Sequence, residues 1–184
     1  MRRDHIAELL PEIYRASLPA GGPLAALLEV MEAMHAPVEA VLDDLDAYLD
    51  PRRAPDRFVP YLAGWLDLDR YLDWPGGRRG SAPPRFAPGL GRLRELTAQA
   101  ASLARVRGTR AGLQRMLEVA TGLAGYVLTE APPGEDGPRP FHLHVSAPAG
   151  ARRFTDLVRR IVEDEKPAYV TYELEFEEAV APGG

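Results

Sequence analysis

His142 and His144 alternate with Phe141, Leu143 and Val145, so on a strand both imidazoles leave one face and offer two nitrogens to a cation. A zinc site needs a third ligand and usually a fourth. Glu173 or Glu175, in a second alternating run, could supply one. Cross-strand His–Glu pairing accounts for the same residues more simply, and no metal is expected. No serine sits in a Gly-x-Ser-x-Gly elbow, and Ser17, Ser81, Ser102 and Ser146 have no base beside them. Asp43, Asp44 and Asp46 resemble a carboxylate cluster but fall on the polar flank of a patterned helix. Pro75-Gly76-Gly77-Arg78-Arg79-Gly80 lacks the lysine and the following helix of a phosphate-cradling loop. With no cysteine in the chain, disulfides, thiol nucleophiles and cysteine zinc sites are excluded. No catalytic residue and no cofactor is expected.

The charges are more informative. The net charge is −5, and Lys166 is the only lysine, so arginine carries nearly all the positive charge. From Glu29 to Asp50 there are seven acids and no base; from Arg78 to Arg115 there are nine arginines and one acid, Glu95. Each block alone reads as a solvated face. Opposed blocks of this size are expected to meet, within the chain or across a subunit contact. The overall acidity, and the lack of aromatics among most of the arginines, favour an acidic protein surface over nucleic acid as the arginines' partner. No apolar run approaches a membrane span, and no signal-peptide pattern is present. Cytoplasmic synthesis is expected.

Several elements must position these groups. A short segment from Ile6 to Ala16 precedes the turn Leu18-Pro19-Ala20-Gly21-Gly22, and Pro23 suits the first turn of a helix. That helix is expected to run to about Leu49, with Asp50-Pro51 ending it. Leu24, Met31, Val38 and Leu45 fall seven apart, as do Leu27, Met34, Val41 and Tyr48, with Leu28, Leu42 and Leu49 broadening the stripe. This a/d pattern favours packing against other long helices; a core helix of a single domain is the other reading. Pro37 should kink the helix or shift its start. A compact helix around Phe58 to Leu66 should bury Phe58, Leu62, Trp65 and Leu66. Trp74 to Gly91 reads as a long loop, and a helix from about Leu93 to Val106 follows.

Then comes Arg107-Gly108-Thr109-Arg110-Ala111-Gly112-Leu113. Thr109 is a natural N-cap, Gly108 permits the turn before it, and Gly122 supplies a stop. Leu113, Met116, Leu117 and Ala120 make one apolar stripe between them. Tyr126 to Thr129 reads as a strand, Ala131 to Pro140 as a loop, and Phe141, Leu143 and Val145 as the buried side of a second strand. Phe154, Leu157, Val158, Ile161 and Val162 form a helical stripe, and Val170, Tyr172, Leu174 and Phe176 a third strand.

The predicted fold is α+β, with a mainly α-helical N-terminal two-thirds and then a small three-stranded sheet covered by a helix. The expected divisions are residues 1–50, 51–122 with the Arg/Pro/Gly-rich loop 74–91, 123–178, and a disordered tail at 179–184.

Six motifs occur in a telling order: Leu10-Pro11-Glu12-Ile13-Tyr14-Arg15, Tyr61-Leu62-Ala63-Gly64-Trp65-Leu66, Arg78-Arg79, Arg107-Gly108-Thr109, Gly122 with Glu130 after it, and Lys166-Pro167-Ala168-Tyr169. In this order, over about Leu10 to Phe176, the chain resembles the tail-protein-I family of phage and phage-like contractile tails. It departs from the family pattern in the loop Gly80 to Gly91 and in Tyr169, where a histidine is favoured. The resemblance implies a structural wedge subunit of a contractile baseplate, working with larger baseplate-J-like subunits, neighbouring wedges or the hub as a hetero-oligomer. It implies that the long helix joins partner helices in a bundle through Leu24, Leu27, Leu28, Met31, Met34, Val38, Val41, Leu42, Leu45 and Tyr48. It assigns structural roles to Leu10, Pro11, Tyr14, Arg15, Trp65, Arg107, Gly108, Thr109, Gly122, Lys166 and Pro167. The alternatives are a monomeric adaptor domain and a metal-dependent enzyme using His142, His144 and an acid.

Overall fold

A computed structural model describes residues 3–16, 18, 21–75, 83–134 and 137–178. The chain divides into two compact units, Met1–Tyr48 and Leu49–Gly184. Arg78-Arg79, the middle of the predicted loop and the tail 179–184 lie outside the described residues.

In the first unit, α1 (Arg3–Glu8) and α2 (Glu12–Arg15) precede the 21-residue α3 (Pro23–Asp43). Pro23 occupies the first turn, where its missing N–H would have no intrahelical acceptor. Ala25 and Leu28 are buried, and α1 packs on α3. Pro37 sits inside α3, which continues past it. The helix predicted to reach Leu49 instead breaks at Asp44, whose φ of −117° leaves the helical region. Two adjacent carboxylates, Asp43 and Asp44, with no base in the last turn, meet the negative end of the helix dipole there. The chain restarts as α4 (Leu45–Leu49), with the Asp44 carbonyl accepting from the Ala47 and Tyr48 amides.

The second unit begins with α5 (Val59–Trp65) and a 3-10 turn at Asp69–Tyr71. α5 buries Val59, Leu62 and Ala63, so of the predicted face of Phe58, Leu62, Trp65 and Leu66 only Leu62 is fully buried. Trp65 is 67% exposed and Leu66 is exposed too, while Phe58 is half-buried and touches Trp65 edge-on at 6.0 Å. α6 (Leu90–Ala104) starts three residues before the predicted Leu93, because Gly89 at φ +98° turns the chain into it. α7 (Arg110–Thr121) packs on α6 and buries Leu113, Met116, Leu117 and Ala120, as its stripe predicts.

The sheet has the order β1 (Val127–Glu130), β4 (His142–Ala147), β5 (Thr171–Phe176). β1 pairs antiparallel with β4, and a short hairpin of β2 (Pro133–Gly134) and β3 (Gly137–Pro138) lies in the predicted loop between them. β5 runs parallel to β4, so the connection must cross over. It does so through a 3-10 stretch at Ala149–Phe154 and α8 (Thr155–Glu165), which buries Leu157, Val158, Ile161 and Val162. Phe154 is only partly buried, just ahead of that helix. Leu128, Leu143, Val145 and Ala147 are buried on the sheet, and one core runs from Ala54 to Val162. Phe141 departs from its predicted place. It precedes β4 with φ +55° and is 66% exposed.

Candidate functional site

Two places could bind something: the apolar seam of α3 and α4, and a cavity at the start of α7. The seam lies in the first unit. Leu27, Met31, Met34, Val38, Leu42 and Leu45 are exposed, Met34 by 73% and Val38 by 60%. Leu24, Val41 and Tyr48 are half-buried, and Leu28 is buried, so Leu28 serves packing within the chain and not an outer face. Six large apolar side chains spaced by three and four make a continuous stripe. Val30 is also exposed, although it lies off the heptad positions.

The cavity, about 350 Å³, gathers motifs far apart in sequence: Gly108 and Thr109 on one wall, Lys166 and Pro167 on another. Their local chemistry explains the meeting. Gly108 takes φ +75°, and Thr109 Oγ accepts from the Gly112 amide at 3.0 Å while donating to the Val106 carbonyl at 2.6 Å. Gly112 has its own requirement: a Cβ there would overlap the Val106 carbonyl oxygen. At the far end, Gly122 takes the left-handed conformation and its N–H bonds the Glu118 carbonyl at 2.8 Å. Lys166 ends α8, its N–H on the Val162 carbonyl and its ammonium 3.2 Å from Glu163, and Pro167 accepts from the Val170 amide in the next turn.

Glu165 joins these motifs electrostatically. Its carboxylate, 11% exposed, lies 3.3 Å from Arg107 Nε and 3.3 Å from Arg70 Nη2, and it accepts from the Tyr71 hydroxyl at 3.3 Å. Arg107 also donates to the Asp164 carbonyl at 3.2 Å. Arg160 bonds Asp73 and the Arg70 carbonyl, so α8 is tied to the 3-10 turn along its length. Burial raises the Tyr71 hydroxyl pKa above its usual range; Arg70 opposes this and Glu165 reinforces it. Burial works to lower Arg70, but Tyr71, Asp67 and Asp164 outweigh it and its pKa is raised. Among the family-motif residues of the second unit, Arg107 thus ties the start of α7 to the end of α8, Gly108 and Thr109 shape that start, Lys166 and Pro167 form the turn after α8, and Gly122 ends α7. Trp65 lies on an outer surface. In the first unit Leu10 is half-buried, Pro11 precedes α2, and Tyr14 is exposed beside Arg15, which pairs with Glu12.

The arginine block finds several partners close by. Arg94 bonds Asp56 and the Pro51 carbonyl, Arg52 lies 3.4 Å from Glu95, and Arg115 reaches Gln99 and Glu118. A hydrogen bond from Gln99 lowers the Glu95 pKa, with Arg52 adding to the effect.

The histidines form cross-strand pairs with the glutamates. His144 stands opposite Glu173 in register, yet it pairs diagonally with Glu175 at 3.2 Å, and His142 lies 3.8 Å from Glu173. His142 Nδ1 meets Thr171 Oγ at 2.7 Å, while its enclosed Nε2 makes no hydrogen bond. Among the described residues no three His, Asp or Glu side chains are grouped to hold a metal ion.

Sequence reasoning missed the cavity's rim. Phe141 and Ala131 both take positive φ, at +55° and +47°, and Phe141 meets Tyr169 edge-on at 5.6 Å. The sequence signal was an aromatic at each of two turn positions: periodicity assigns Phe141 to a strand, and Tyr169 stands out only in the motif Lys166-Pro167-Ala168-Tyr169.

Comparison with known proteins places this geometry. The model of a family described as Phage tail protein (Tail_P2_I) matches residues 23–169, from the first residue of α3 to Tyr169 at the cavity. No curated protein matches the chain.

Proposed function

The chain belongs to the phage tail protein family (Tail_P2_I) and is a structural component of a phage tail, and from that premise we propose that it is a wedge subunit of a contractile baseplate. Membership implies contact with other tail components. Among the described residues no helix is long and apolar enough to cross a membrane.

One observation carries the finer reading: the exposed seam from Leu27 to Leu45. A helix that keeps large aliphatic side chains in water gains stability only when another surface covers them. Full burial of an exposed large aliphatic side chain is worth roughly 1.5–3 kcal/mol, and these, already partly covered, would gain a share of that. Spacing by three and four is what a neighbouring helix fits. In this reading the seam enters a bundle with helices of larger baseplate-J-like subunits, and acids such as Glu32 and Glu39 face basic positions on them. The second unit, tied through Glu165, then contacts neighbouring wedges or the hub. Synthesis in the cytoplasm followed by assembly into the particle fits this role.

The test is co-expression with the larger baseplate subunit and native mass spectrometry. A complex of fixed stoichiometry that the double change Met31→Asp and Val38→Asp abolishes supports the wedge role. A complex that survives the double change, or a lone monomer under particle-producing conditions, overturns it.

A further inference from the structure

We propose that the cavity at the start of α7 is a second docking point, which takes one bulky apolar side chain flanked by opposite charges on an extended segment of another tail protein. This rests on the reading of the chain as a tail component only for the partner's identity; the site itself follows from the second unit's geometry.

The rim is held open at a cost. Phe141 is 66% and Tyr169 71% exposed, and the two rings meet edge-to-face at 5.6 Å. A left-handed φ is unfavourable for a residue as bulky as phenylalanine. Three hydrogen bonds keep this conformation in place. The Thr171 amide donates to the Phe141 carbonyl at 2.9 Å, Thr171 Oγ donates to it at 3.3 Å, and the Ala131 amide donates to the His142 carbonyl at 2.9 Å. The backbone therefore holds the ring away from the core, although Phe141 directly precedes a strand that buries Leu143 and Val145. Below the rings, Leu113 and Leu143 make an apolar floor, and about 350 Å³ accommodates one large side chain.

Charge defines the flanks. Glu165 is occupied by Arg70 and Arg107, and Lys166 by Glu163. Arg110 on the α7 wall and Glu130 at the end of β1 have no ion-pair partner among the described residues. An occupant that satisfies both carries an acid on the α7 side of its apolar anchor and a base on the β1 side. Interface anchors seat in apolar pockets, and the margin around them is polar.

The test titrates the full chain, uniformly ¹⁵N-labelled, with the peptide Ac-Glu-Trp-Lys-NH2 and follows backbone amides. The controls are Ac-Glu-Ala-Lys-NH2 and Ac-Gln-Trp-Gln-NH2. Shifts at Leu113, Leu143 and Tyr169 with a Kd of about 1 mM are expected, with the neutral Trp peptide several-fold weaker and the Ala peptide silent. Tyr169→Ser and Arg110→Glu change exposed side chains, so the fold should persist; each should weaken binding about fivefold or more. The double change Met31→Asp and Val38→Asp should leave the titration untouched, so failure of the wedge reading stays distinct from failure here. Absence of shifts at these amides, equal binding of the Ala peptide, or a self-associating chain whose own contacts fill the cavity would each overturn the proposal.

Discussion

α3 and α7 both carry an apolar stripe at helical spacing, yet they treat it in opposite ways. α7 buries Leu113, Met116, Leu117 and Ala120, has a side-chain cap at Thr109, and stops at a left-handed glycine. α3 has no side-chain cap and no base in its last turn, holds a proline inside it, and exposes Met34 and Val38. Periodicity alone therefore does not say which stripe is core. What separates them is termination. α7 is fixed at both ends by its own residues and lies against the fold, whereas α3 lacks a side-chain cap and leaves its seam uncovered.

The contrast can be broken most sharply by exchanging the two readouts. Leu117→Ala, at a site with no solvent exposure, should cost about 2–5 kcal/mol of stability and leave the α3 face able to bind. Met31→Asp with Val38→Asp should do the reverse. Its stability should stay within about 0.5 kcal/mol per change, and partner binding should fall by at least a hundredfold. Chemical denaturation and native mass spectrometry measure the two sides. If the aspartates unfold the isolated chain, α3 is core after all.

The second unit should also be sensitive where its charges meet. Glu165→Ala leaves the buried Tyr71 hydroxyl without its acceptor, while Arg70 keeps Asp67 and Asp164, and should cost about 1–3 kcal/mol. Arg107 is half-exposed and regains water, so it adds little. A smaller effect has an informative sign. Gly→Ala inside a helix ordinarily stabilises by about 1 kcal/mol. At Gly112 the new Cβ meets the Val106 carbonyl, so Gly112→Ala should destabilise by about 1–2 kcal/mol. Thermal melting gives the sign directly.

These sites show which features can be read from residues. Thr109, Gly108, Gly122 and the α7 stripe were legible because cap and turn chemistry is local. The strands were legible through alternation, down to the pairing of His142 and His144 with Glu173 and Glu175. The break at Asp44 depends on two acids meeting a helix dipole at an end that nothing in the pattern fixed. α5 turned another side inward because Val59 and Ala63 fit the core, leaving Trp65 outside. The cavity was illegible since Gly108 and Pro167 meet only through the crossover to β5, and Gly112 reads as an ordinary helix glycine until Val106 lies against it.

The smallest effect appears only in alkali. Burial raises the Tyr126 hydroxyl pKa, partly offset by its hydrogen bond to Thr121, and burial raises Tyr71 as well. In the unfolded chain both titrate near pH 10. The folded state therefore keeps its phenol protons after the unfolded state has lost them, so stability falls as pH rises. The contribution is complete below about pH 10, declines above it, and is gone once the folded phenols ionise. Tyr126→Phe removes one such group together with its 3.1 Å hydrogen bond to Thr121. The variant should be less stable than wild type by about 1 kcal/mol near neutrality and lose less on going into alkali, so the two stability curves converge. Denaturation at neutral and alkaline pH measures that convergence. Parallel curves would mean that Tyr126 ionises in the folded state as readily as in water.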